Sequence, residues 1–111
     1  MQGAESTSRV GKLVRDRIPE IIRKHGSEPI TYVAGPEEYR DRLREKIGEE
    51  YDELLKADER DAPGEVADLV EATLAYAAHL GISAEQVEEI RAAKAAERGG
   101  FAGRIIWIGN R

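Results

Sequence analysis

Apolar positions fall into six blocks whose spacing changes along the chain. The first, KLVRDRIPEIIRKHG, begins extended and turns helical. Pro19 suits a first helical turn, where its missing N–H leaves no bond unmade, and Gly26 suits the position just past the end. His25 falls in the last turn, where the negative helix end tolerates a cation. PITYV, from Pro29 to Val33, is rich in β-branched residues and bounded by proline and glycine, so it reads as a short strand. A second helix opens at GPEEY, with Pro36 at its first position and Glu37 and Glu38 at its positive end. Leu43, Ile47, Tyr51, Leu54 and Leu55 recur at steps of three and four, one apolar stripe running to about Ala57. ADERDAPG breaks it. A third helix, from about Pro63 to Leu80, stops at Gly81. It is apolar almost all round, the pattern of a central, buried helix. SAEQ then reads as a capping box, with Ser83 as cap and Gln86 reaching back, and opens a fourth helix to about Arg98. Gly99-Gly100 ends it. The final RIIWIGN reads as a strand or an apolar plug, able to pair with Ile30 to Val33. The sum is an all-α bundle of about four helices with at most a minor pair of short strands.

Composition narrows the class. A chain of 111 residues fits one domain, taken here as residues 12–111 behind a flexible tail over 1–11. A chain this short buries a modest core, so a partner subunit is expected. The absence of cysteine excludes disulfides and thiolate metal sites and is compatible with the cytoplasm. No apolar run is long enough to span a membrane. A net charge of -5 argues against a nucleic-acid polymer as partner and leaves room for a local basic pocket that takes a small anion.

That acidity is concentrated. On a wheel of about 100° per residue, Glu50 falls inside the second helix's apolar stripe, Glu53 at its edge and Glu49 further round. An ionised carboxylate facing a core is costly unless something pairs with it. On the third helix, Glu65 and Asp68 share one side, and Ala72, Ala75 and His79 continue it. Two acids followed by two alanines leave a polar end with empty volume above it. The short connection favours antiparallel neighbours, which sets the pair Glu50 and Glu53 opposite the pair Glu65 and Asp68. Oxygen ligands alone select a hard cation, Mg²⁺ or Mn²⁺. The competing explanation is a solvated acidic face paired with Arg42, Lys46 and Lys56 at helical spacing.

EEYDE followed by EVAD resembles the EExxE…ExxD motif of the MazG-like all-α nucleoside triphosphate pyrophosphohydrolases. KLVRDRIPEII and KAAERGGF resemble the flanking signatures of its phosphoribosyl-ATP pyrophosphohydrolase-like, house-cleaning subgroup. The likeness runs from Lys12 to Ile106. One departure is the separation of the two halves, Leu54 to Gly64, at or below the short end of the family's usual gap. The resemblance implies a homodimer or higher oligomer. It also implies Mg²⁺-dependent cleavage of a nucleoside triphosphate to monophosphate and pyrophosphate. Glu50, Glu53, Glu65 and Asp68 match the metal ligands. Glu49 matches the leading acid, which binds a second metal or orients the attacking water, so Glu49 and Glu50 are the candidate catalytic pair. Lys12, Arg15 and Arg17, with Lys94, Arg98 and Arg104, are candidates for holding phosphate. His79, Tyr76 and Trp107 are read as packing or interface residues. Two other functions stay open: hydrolysis of phosphoribosyl-ATP in histidine biosynthesis, and a non-catalytic helical interaction module.

Overall fold

The computed structural model describes residues 10–111. Four helices follow in order: α1 (Ile18–Lys24), α2 (Pro36–Lys56), α3 (Ala62–His79) and α4 (Ala84–Arg98). Among the described residues there is no strand: the two segments able to pair, 30–33 and 104–110, both lack regular secondary structure and are unpaired. Most of the expected flexible tail, residues 1–9, lies outside the described residues. Its last two positions are held, because Arg42 donates to the carbonyl oxygens of Val10 and Gly11, each at 2.8 Å. No described helix is long and apolar enough to cross a membrane.

Local chemistry sets the helix ends where the sequence puts them. Proline stands in the first turn of α1, α2 and α3. Ser83 and Gln86 form both bonds of the capping box, at 3.1 and 2.8 Å, and satisfy two amides that the helix start would otherwise orphan. Gly81, at φ 86°, carries the chain past α3 in a left-handed conformation that a side chain would resist. Between α2 and α3 the turn closes on Asp58, whose carbonyl oxygen accepts from Ala62 at 2.9 Å and whose carboxylate accepts from the amide of Asp61 at 3.1 Å.

That turn folds α3 back antiparallel along α2. Tyr39, near the start of α2, meets His79, at the end of α3, edge to face with ring centroids 5.4 Å apart. His79 is thus a packing residue, as its sequence context suggested. Leu43 and Ala72 are the buried apolar residues of this seam, and Arg42 lies buried beside them. Part of α3 departs from the expectation of a buried central helix: Val66 and Val70 are about half exposed, as is Leu80 just past its end. Trp107 is likewise exposed and donates to Asn110 at 3.0 Å rather than lying under the bundle. The pattern on α3 is that of a buried helix, but among the described residues no further element lies over its exposed face. The radius of gyration, 17.9 Å, reflects this. A compact domain of this length would have about 13 Å.

Gly48 sits mid-helix in α2, and a Cβ there would meet nothing within 4 Å. Gly48→Ala is therefore expected to stabilise the chain by about 0.5–1 kcal/mol in denaturant unfolding. A loss of stability instead would mean that another subunit packs against this point.

Candidate metal centre

The antiparallel seam decides which acids meet. Glu50 lies two turns before the end of α2, and Glu65 and Asp68 lie in the first two turns of α3. The turn between the helices brings these stretches side by side. One carboxylate oxygen from each of Glu50, Glu65 and Asp68 lies within 4.8 Å of the other two. Glu53 is exposed and outside this group, though close enough for its charge to act on Glu65. Glu49 stands further round α2 with its side chain 37% exposed, against 14% for Glu50. The wheel is right that Glu50 is the most covered of the three, but it places Glu53 nearer the stripe than Glu49, and Glu53 is the more exposed.

Three cations lean over the acids. Arg15 donates to Asp68 at 2.7 Å. Lys12 reaches Glu49 at 3.3 Å, and Lys46 bridges Glu49 at 3.2 Å and Glu50 at 3.6 Å. Lys46 was legible, since it stands three and four residues before its partners on one helix face. The Arg15 pairing spans 53 residues and was not. Among the described residues Glu65 has no cation partner.

The electrostatics separate two glutamates. Loss of solvation acts to raise Glu49, but hydrogen bonds and charge from Lys46 and Lys12 outweigh it and hold the carboxyl below its ordinary range. Glu65 is raised, first by lost solvation and then by the negative charges of Asp68, Glu53, Glu50 and Asp61. A crowded, unpaired carboxylate with two others at ligand distance is a donor set that fits a hard divalent cation.

Beside the acids runs a groove of about 450 Å³. Arg15, Arg17, Lys46, Glu50 and Asp68 are among its polar lining residues, and Ile18, Tyr39, Leu43, Ala72 and Ala75 among its apolar ones. Ala72 and Ala75 leave the space their small side chains promised. Glu71 also lines the groove, a residue the sequence reading passed over although it stands three after Asp68 on the same face. Lys94 and Arg98 do not line it: they are exposed on α4, which packs on α3. Glu49, Glu53 and Lys12 also stand outside its lining.

The sign of the pH effect follows from these directions. Glu65 holds its proton more tightly folded than unfolded, so the metal-free protein loses stability as pH rises from the ordinary 4.5 through the raised value. Glu49 acts oppositely, contributing stability that is lost as pH falls through its lowered value. In EDTA-treated protein, Glu65→Gln is expected to raise the melting temperature at pH 7 and to change it little at pH 4. An equal shift at both pH values would refute the crowding.

Comparison with known proteins agrees with this geometry. The chain matches the phosphoribosyl-ATP pyrophosphohydrolase family over residues 15–95, a span that holds α1, α2, α3, the acids and most of α4. It is also similar to a protein of Mycolicibacterium smegmatis (strain ATCC 700084 / mc(2)155), described only as an uncharacterized protein. The two are 47% identical over 53 residues, 48% of this chain and 54% of that one. The match therefore spans about half the length of this curated relative. No solved structure matches the chain. On its family match, the chain belongs to the phosphoribosyl-ATP pyrophosphohydrolase family, whose activity is the hydrolysis of nucleotides with release of pyrophosphate.

Proposed function

We propose that this chain is a divalent-cation-dependent nucleoside triphosphate pyrophosphohydrolase. It converts a non-canonical nucleoside triphosphate to the monophosphate and pyrophosphate, with Mg²⁺ as the ion and Mn²⁺ able to replace it. One observation carries the reading: Glu50, Glu65 and Asp68 converge from two helices, and Glu65 is left crowded by charge of its own sign. Glu50, Glu65 and Asp68 would hold the ion, with Glu53 at the rim. When bound, the ion supplies charge neutralisation at phosphate oxygens and makes water more acidic.

The chain's own residues divide the remaining work. Glu49 is ionised far below neutral pH and so is a standing hydrogen-bond acceptor. It orients the water, whose oxygen bonds to phosphorus as the bridging anhydride oxygen leaves with pyrophosphate. Arg15 and Lys12 neutralise Asp68 and Glu49 in the free protein. With those acids neutralised by a bound cation, both side chains would be free to face the phosphates, Arg15 as a fork and Lys12 as a point charge. The apolar lining of the groove accepts the part of the substrate that carries no charge. Lys94 and Arg98 are further candidate phosphate contacts from α4. Residues 12–111 form the catalytic unit.

The test is a panel of canonical, deaminated and oxidised nucleoside triphosphates together with phosphoribosyl-ATP, assayed for pyrophosphate with Mg²⁺ and with EDTA. Release from at least one non-canonical triphosphate, abolished by EDTA, is expected. Glu50→Gln and Asp68→Asn should each lower kcat by about 10²-fold or more, with helix content unchanged. Turnover of phosphoribosyl-ATP alone would favour the activity in the family's description. No turnover of any substrate would leave a non-catalytic helical module.

A further inference from the structure

Two segments outside the helices are rich in exposed apolar residues and pair with no strand among the described residues. The tail carries Phe101, Ile105, Ile106, Trp107 and Ile108, each between 77% and 97% exposed. The connection between α1 and α2 carries Ile30 at 101%, Val33 at 97% and Tyr32 at 69%. Among the described residues, no backbone hydrogen bond ties 105–111 or 28–34 to any other part of the chain. Both segments are built from β-branched and aromatic residues, which favour strands. An extended, hydrophobic run with open N–H and C=O groups is a template for pairing with another chain.

We propose that residues 105–108 of one copy pair as a β-strand with residues 30–33 of a second copy, and reciprocally, in a two-fold dimer. Three observations choose a second copy as the occupant. First, the exposed area matches what a dimer needs. The chain exposes 9613 Å², whereas a folded monomer of 12.3 kDa exposes about 6,100 Å². Even if residues 1–9 are allotted an unfolded chain's share, about 1,400 Å², some 2,000 Å² remain. Stable interfaces remove about 800 Å² from each partner, and obligate ones more. Second, both halves of the contact lie on one chain, which is the requirement for a closed isologous pair. Third, the charges match. The tail bears Arg104 and Arg111 and no acid, while the 29–34 segment is flanked by Glu28, Glu37 and Glu38.

Side-chain alternation gives the pairing two useful faces. Ile106 and Ile108 point to one side of a strand, Ile105 and Trp107 to the other. A groove of about 500 Å³ lies against the receiving segment, lined by Val10, Leu13, Ile30, Tyr32, Val33 and Tyr39, and takes one of those faces. The turn after α4 ends at Arg104 in the left-handed region, φ 57°, and the apolar residues that follow it are left open to solvent.

The absence of native cysteine makes a clean test. Thr31→Cys and Ile106→Cys are made separately in the full chain, one of them tagged, mixed, and treated with a short bismaleimide. A cross-link between the two different chains is expected, with far less between identical ones. Light scattering should give a dimer, and both Ile106→Pro and removal of residues 104–111 should raise its dissociation constant at least 100-fold with helix content retained. A monomeric full chain, a dimer indifferent to both tail changes, or a cross-link that forms only within a Thr31→Cys/Ile106→Cys double variant would each overturn the proposal. None of these readouts depends on nucleotide hydrolysis.

Discussion

Packing α2 against α3 forces Glu50, Glu65 and Asp68 into one another's reach, and the rest of the site is arranged around that repulsion. The seam that imposes it is small. Leu43 and Ala72 are its buried apolar residues, with Tyr39 and His79 closing the far end. A tight turn centred on Asp58 fixes the register, so the helices cannot slide to relieve the charges. What can change is the charge balance. Lys46 supplies one positive charge from α2 itself, and Arg15 supplies another from the segment before α1.

This arrangement makes the competing explanations of the acidic helices parts of one picture. The solvated, salt-bridged face is present in the pairs that Lys12, Lys46 and Arg15 form with Glu49, Glu50 and Asp68. The carboxylate convergence that a cation-binding centre needs is present as well, and those pairs leave it incompletely neutralised at Glu65. Partly exposed ion pairs of this kind are individually weak, so a divalent ion can displace them. Their cations are then beside the place where a polyphosphate would lie. Under the proposed function, the same side chains serve the free and the occupied site.

What the sequence made legible is what helical geometry alone controls. The wheel singles out Glu50 as the most covered acid of α2, though not the order of Glu53 and Glu49, and the spacing pairs Lys46 with Glu49 and Glu50. The capping box at Ser83 and the stop at Gly81 need only local bonds. Contacts made through long loops were not legible. Arg15 reaches Asp68, and Arg42 reaches back to Val10 and Gly11, only because of the path taken before α1. The pattern on α3 was read as burial, and Val66 and Val70 are half exposed. Hydrophobic periodicity reports that a face will be covered, not which chain covers it.

Arg42 shows how little cover one chain provides. Its guanidinium is buried yet satisfied by Glu38, Tyr32 and two carbonyl oxygens, so it staples the residue 10–11 backbone and the 32 position to α2. The basic segment 12–15 that leans over the acids begins at this staple. Positioning of Lys12 and Arg15 therefore depends on a polar anchor rather than on an apolar core. The central claim is that the crowded carboxylates are a cation site, and calorimetric titration of Mn²⁺ into metal-free protein tests it most directly. The account predicts saturable binding that is lost in a Glu50→Gln/Asp68→Asn double variant and tightened by Arg15→Ala, which frees Asp68. Binding that is absent, or unchanged in the double variant, would contradict it.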